Sequence, residues 1–125
     1  MNIGIVGYRN HSLKILNILK KYKLSIIVFC YKKKLINKLK ISENKNIIYT
    51  SDINELKKTN VIFITSPNTT HLKYIKFFSE HNKYIFCEKP PCTNYKELKF
   101  LKNLNKINKS KIYFNFNYTK SNTYK

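Results

Sequence analysis

Residues 61–91 read VIFITSPNTTHLKYIKFFSEHNKYIFCEKPP, and this stretch decides the fold. An apolar run, Val61-Ile62-Phe63-Ile64, stops at Thr65-Ser66-Pro67-Asn68. A helical pattern follows, with Leu72, Ile75 and Phe78 on one face. A second apolar run, Tyr84-Ile85-Phe86-Cys87, stops at Glu88-Lys89-Pro90. Strands that are apolar at every position are expected to be buried on both faces. Two of them joined by a helical crossover make a right-handed βαβ unit. Ligands of open α/β sheets sit at the carboxyl ends of the strands. The chemistry is therefore expected around Ser66-Pro67-Asn68 and Glu88-Lys89-Pro90.

The same alternation extends in both directions. Upstream, Ile3 to Val6 is a short strand that ends at Gly7, and Leu13, Leu16 and Leu19 mark a helix running to about Lys21. Leu24 to Cys30 is a strand rich in β-branched residues, and Lys32 to Lys40 a helix with Leu35, Ile36 and Leu39 inward. Ile47 to Tyr49 forms a brief strand. Asp52 then caps a short helix ending near Lys58, with Glu55 completing a variant capping box. Downstream, Thr93 or Asn94 caps a helix supported by Glu97 and striped by Leu98, Leu101, Leu104 and Ile107. Ile112 to Phe116 is the last strand. The expected fold class is α/β, a doubly wound parallel sheet of order 3-2-1-4-5-6. One domain is expected over residues 1–118, with residues 119–125 a tail or the start of a second domain.

Pro67-Asn68-x-x-His71 after one buried strand and Glu88-Lys89-Pro90 after the next are similar to the Gfo/Idh/MocA oxidoreductases, the relatives of glucose–fructose oxidoreductase and inositol dehydrogenase. The resemblance covers nearly the whole chain, but only the cofactor-binding half of a full-length member. It implies a Rossmann domain that binds NAD or NADP, with the C-terminal substrate domain absent. It implies hydride transfer between the nicotinamide and a hydroxyl or keto group of a sugar, cyclitol or related compound. It also puts Lys89 beside the nicotinamide and the reacting hydroxyl, as the catalytic residue. A cation there stabilises the alkoxide that develops as hydride leaves, and a lysine with a lowered pKa can shuttle the proton. The family's further catalytic residues, usually a His or Asp of the second domain, have no counterpart, so this chain alone is expected to be catalytically incomplete.

The remaining candidate residues follow from the loops. Aligned on the G-x-G-x-x-G fingerprint, the first loop reads Gly7-Tyr8-Arg9-Asn10-His11-Ser12, and only its first glycine survives. This loop is the expected pyrophosphate cradle, at the N-terminus of the following helix. If the Arg9 position needs a positive φ, a non-glycine residue costs about 1–2 kcal/mol there. A charge-assisted bond from Arg9 to a phosphate offsets this by about 1.5–3 kcal/mol. After the second strand an acid would select the ribose 2′-hydroxyl, and basic residues tolerate a 2′-phosphate. Here Tyr31, Lys32 and Lys33 follow Cys30 with no acid. That pattern fits NADP, but lysine is abundant everywhere in this chain, so NAD and NADP both stay open. Ser66, Pro67 and Asn68 border the nicotinamide half of the cleft, and Asn68 or Thr69 is suited to cap the next helix. His71 falls in that helix's first turn and reads first as structural. Glu88, Lys89 and Pro90 close the set, and the bond before Pro90 is free to be cis.

Composition narrows the alternatives. The net charge of +19 suggests nucleic acid or a membrane surface. However, Arg9 is the only arginine, the chain lacks Ala, Gln and Trp, and Lys, Asn and Ile make up nearly half of it. These residues share AT-rich codons, so base composition accounts for the charge without a partner. A selected nucleic-acid surface would favour arginine. Two alternative readings remain: a degenerate, non-catalytic nucleotide-binding module, suggested by Arg9, and a basic nucleic-acid-binding protein, carried by net charge alone. Cys30, Cys87 and Cys92 form no CxxC, and His81 is not at metal-ligand spacing, so no metal is expected. The odd cysteine count, and a start that runs straight into a strand with no signal peptide, fit a reducing cytoplasm. The longest apolar run, Leu24 to Tyr31, falls well short of the about 20 residues that span a bilayer. An apolar sheet face left open by a missing domain would favour homo-oligomers.

Overall fold

The computed structural model describes residues 1–39, 44–107 and 111–115. In chain order the elements are β1 (Asn2–Val6), α1 (Asn10–Leu19), β2 (Ser25–Phe29), α2 (Lys33–Leu39), β3 (Ile47–Thr50), a 3-10 turn (Ile53–Lys58), β4 (Val61–Ile64), α3 (Asn68–Ser79), β5 (Tyr84–Cys87), α4 (Tyr95–Ile107) and β6 (Lys111–Phe114). All strand pairs are parallel, in the order β3-β2-β1-β4-β5-β6 anticipated from the sequence. The chain order reverses between β1 and β4, which opens a crevice at their carboxyl ends.

Register follows from which side chains the pleat sends to each face. Val6 aligns with Phe29 and Ile64, and all three point to the layer closed by α3, α4 and the 3-10 turn. Leu56, Ile75, Phe78 and Leu101 from those elements complete this core. Ile5 aligns with Val28 and Phe63 toward the opposite layer, where Leu16 of α1 and Ile36 of α2 cover β1 to β3. Each fully buried large side chain contributes about 1.5–3 kcal/mol. Gly4 lets β1 lie close under the first of these layers. A methyl group there would sit 2.7 Å from Ile62 Cδ1 and 2.9 Å from Thr59 Oγ1.

Several local expectations are corrected. β4 and β5 are not buried on both faces: Ile62, Ile64, Ile85 and Cys87 are buried, whereas Phe63 is half-buried and Tyr84 and Phe86 are exposed. α1 and α2 lie over β1 to β3, and no described element covers this face of β5 and β6. Phe63, Phe86 and Tyr113 instead stack across three strands, with ring centroids 5.3 and 5.0 Å apart. Asp52 does cap the next segment, accepting Asn54 N–H at 2.9 Å, but that segment is a 3-10 turn. Glu55 forms no capping box; it pairs with Lys58 at 2.8 Å. At α3 the cap position belongs to Pro67, with Asn68 already inside the helix. Asn94, not Thr93, caps α4, accepting Glu97 N–H at 3.0 Å, while Glu97 reaches back to Thr93 N–H at 2.7 Å.

The buried Lys83 amine, its pKa pushed down by burial, donates to Lys57 O at 2.5 Å and to Thr59 O, tying the 3-10 turn to β5. Lys40, Phe116, the expected domain boundary near residue 118 and the segment 119–125 lie outside the described residues. No described helix is long and apolar enough to cross a membrane.

Candidate functional site

The site is built on the turn that leaves β1. Gly7 has φ +110°, a conformation that L side chains rarely adopt. A methyl group on Gly7 would lie 3.1 Å from Thr65 C and from Ser66 N, so the turn presses against the backbone leaving β4. The strain anticipated at Arg9 is absent: its backbone is extended, with φ −126° and ψ −176°. The one left-handed position in the loop falls on the one glycine that survives.

α1 starts at Asn10, so Asn10, His11 and Ser12 form its first turn rather than a loop. Ser12 is fully buried and fixes that turn. Its Oγ accepts Arg9 N–H at 3.3 Å and lies 2.6 Å from Thr65 Oγ1. Thr65 in turn donates to Val6 O at 3.0 Å. Thr65 spends its single hydroxyl proton on Val6, so Ser12 is the donor between the two hydroxyls. The result is a directed chain from Arg9 through Ser12 and Thr65 to Val6, which locks the first loop to β4. The Arg9 guanidinium, which has no acceptor, cannot close a reciprocal cap. No side-chain cap bond occupies the first-turn amides among the described residues, and Arg9, the cap residue, lines the crevice.

A cleft of about 390 Å³ opens at this edge. It gathers Gly7, Tyr8, Arg9, Tyr31, Lys32, Ser66 and Pro67 from the loops after β1, β2 and β4. Thr70, Lys73 and Tyr74 of α3 also line it, and sequence reasoning passed over them. Their signal lay one turn past Pro67 for Thr70 and two turns past it for Lys73 and Tyr74, on the face of α3 that lines the same crevice. Burial, followed by the nearby Tyr49, pushes the Tyr8 phenol above its usual pKa, and burial, followed by Tyr31, does the same for Tyr74. Both rings thus present neutral hydroxyls at neutral pH. A larger groove of about 680 Å³ between the 3-10 turn and α3 shares Phe29, Tyr31, Lys73 and Tyr74 with this cleft but includes no residue of the first loop.

The other named residues lie around the cleft rather than in its lining. Asn10 and Lys33 are exposed at the starts of α1 and α2, and Asn68 is exposed in the first turn of α3. His11 Nε2 meets Glu88 Oε1 at 2.6 Å, and Glu88 also accepts Asn115 Nδ2–H at 2.8 Å. This trio ties the ends of β5 and β6 to α1. His71 is fully buried between the loops after β4 and β5. Lys89 is exposed in the loop after β5, and the Lys89–Pro90 peptide is cis. Among the described residues no cluster of His, Cys, Asp and Glu is arranged to hold a metal.

A strand that ends in a left-handed glycine, a helix whose cap residue lines the crevice, and a reversal of strand order at that point define a dinucleotide-binding α/β domain. Residues 1–116 match the Gfo/Idh/MocA family model, described as an oxidoreductase family with an NAD-binding Rossmann fold, and the chain belongs to that family. No curated protein matches it by sequence. Its fold is similar to a probable dehydrogenase from Thermotoga maritima (17% identity, TM-score 0.83, covering 99% of this chain and 38% of that one). It is also similar to the WlbA dehydrogenase from Chromobacterium violaceum, solved with NADH and UDP-GlcNAcA (15% identity, TM-score 0.77, 96% and 36%). A third similar fold is biliverdin reductase from Synechocystis, solved with biliverdin and NADP+ (14% identity, TM-score 0.75, 90% and 37%). The chain thus spans little more than a third of the length of these proteins.

Proposed function

We propose that this chain is the dinucleotide-binding part of a dehydrogenase acting on a sugar, cyclitol or related hydroxyl compound. The observation that carries the reading is the cleft joining Gly7, Arg9, Ser66 and Pro67 at the point where strand order reverses. The residues present fit a nicotinamide dinucleotide. Gly7 to Ser12 would hold the pyrophosphate through the first-turn amides of α1, with the Arg9 side chain in reach of a phosphate oxygen. Tyr31, Lys32 and Lys73 would meet the adenosine ribose, and Ser66 and Pro67 the nicotinamide side. With no acid in this group, a 2′-phosphate is accommodated as readily as a hydroxyl. When bound, the nicotinamide supplies the hydride acceptor or donor. Lys89 would hold the proton of the substrate hydroxyl and offset the negative charge that builds on its oxygen.

Support for the substrate class comes from the Pro67-Asn68-x-x-His71 and Glu88-Lys89-Pro90 motifs and from the sugar nucleotide described with the Chromobacterium protein. Residues 1–125 by themselves are proposed to bind cofactor without turnover. Lys89 is exposed in the loop after β5, outside the cleft lining, and water there weakens its electrostatic effect. The open Phe63–Phe86–Tyr113 face supports self-association. Three free thiols, two of them buried, accord with a cytoplasmic setting.

Titration with NADH and NADPH, read by nucleotide fluorescence, tests the binding reading. The expected result is saturable binding of at least one. No saturable signal at millimolar concentration would remove it. A polyol and sugar panel assayed with cofactor tests the second part, and sustained, Lys89-dependent turnover by this chain would overturn the claim of incompleteness.

A further inference from the structure

On the α1 side of the sheet, no described element covers β5 and β6. Phe63, Phe86 and Tyr113 are register partners across β4, β5 and β6, and they stand on this face as a ridge of stacked rings. An apolar groove of about 590 Å³ runs along the amino-terminal side of the ridge, lined by Leu19 and Tyr22 at the end of α1 and by Val61 and Tyr84 of the strands. A second groove, of about 340 Å³, lies on the carboxyl-terminal side and ends at His11, Glu88 and Asn115. Both grooves are lined by Phe63 and Phe86, so the ridge separates them.

The residues on this face differ from those on the rest of the surface. Lysine is abundant throughout the sequence. On this face of β4, β5 and β6, however, the side chains are Val61, Phe63, Tyr84, Phe86, Lys111 and Tyr113. The single lysine stands on the edge strand, its amine 5.3 Å from the centroid of the Tyr84 ring. Tyr22, Tyr84, Phe86 and Tyr113 are 60%, 46%, 39% and 45% exposed. At about 200 Å² per aromatic side chain, they leave about 400 Å² of ring surface open. A stable interface takes about 800 Å² from each partner, of which a little over half is apolar. The open rings therefore supply the apolar share of a standard interface, with no charge at its centre.

We propose that this face is the contact of a two-fold symmetric dimer, its partner a second copy of this chain. The proposal rests on the self-association reading above and gives it one surface and one stoichiometry. A two-fold contact brings a patch against itself, so the patch must be self-complementary. A ridge flanked by grooves meets that requirement, because the ridge of each copy enters a groove of the other. The contact occupies the same face on both copies, so assembly stops at two. Charge works against it. Each copy carries +19, and apolar burial has to overcome their repulsion. Added salt screens that repulsion and should strengthen the dimer. Binding to an acidic protein or a nucleic acid would weaken under the same change.

Sedimentation of the whole chain at pH 7 tests the proposal, with circular dichroism as the check on folding. The expected result is a monomer–dimer equilibrium. It should tighten at least about threefold between 0.1 M and 1 M sodium chloride, as the Debye length falls from about 10 Å to about 3 Å. Phe86→Lys puts two charges into each dimer contact and should weaken it at least about a hundredfold. Tyr84→Lys, in the larger groove, should act in the same direction. A folded Phe86→Lys protein that dimerises like the unaltered chain would overturn this surface while leaving self-association standing. A monomer at every salt concentration, up to about 0.1 mM protein, would remove both. Open-ended assemblies, or association that weakens with salt, would overturn the two-fold contact. If Phe86→Lys does not fold, Tyr84→Lys and the salt series on the unaltered chain decide the matter.

Discussion

Replacing Gly7 with alanine separates the geometry of the first loop from its chemistry. Gly7 has φ +110°, and an L residue pays about 1–2 kcal/mol for a left-handed backbone. The added methyl meets Thr65 C and Ser66 N at 3.1 Å, well inside the usual separation of about 3.5–4.0 Å between carbons. Those atoms cannot recede freely. Thr65 N–H is bonded to Val6 O at 3.0 Å, and Ser66 O is held by His71 at 2.7 Å. Overpacking against a fixed backbone adds about 1–3 kcal/mol. Gly7→Ala should therefore lose about 2–5 kcal/mol, a large part of the about 5–15 kcal/mol of an ordinary domain. Urea unfolding followed by circular dichroism reads this directly. With a slope of about 2 kcal/mol per molar urea, the midpoint should fall by at least about 1 M. A loss under about 0.5 kcal/mol would show that the turn relaxes easily and that glycine is not required there.

Three further outcomes are expected. Ser12→Ala and Thr65→Val should each cost about 1–3 kcal/mol, because each leaves a buried polar group unpaired, and the double variant should cost less than their sum; strict additivity in chemical unfolding would break the proposed chain. Charge reversal at Lys32 and Lys73 together should weaken NADPH at least about tenfold more than NADH, and equal losses would show that the lysines act only through general charge. Because burial pushes the Cys87 thiol up to about 12, iodoacetamide at pH 8 should label half-buried Cys92 first and reach Cys87 only on unfolding, and equal native rates would contradict its enclosure.

Much of the fold was legible because its signals are local. Apolar runs of strand length, helical stripes between them and Gly7 at the end of the first run fix the order of elements, and handedness rules convert that order into sheet topology. The two motif-bearing loops therefore had to arrive at the carboxyl edge. The stripe Leu101–Leu104 was equally readable, because a helix repeats its face every few residues.

Tertiary structure alone decided the rest, because neighbours in a parallel sheet are separated by whole crossovers. Nothing near Ser12 in sequence announces Thr65, and nothing near His11 announces Glu88. His71 reads as an ordinary first-turn histidine until Ser66 O and Pro90 O close on its two nitrogens. The exposed face of β5 was equally hidden. An apolar run shows that both sides of a strand can be buried, but whether anything covers them depends on which face each crossover helix takes. Arg9 shows the same division: its identity breaks the glycine fingerprint, yet its extended backbone carries no strain, because the loop places its left-handed turn at Gly7.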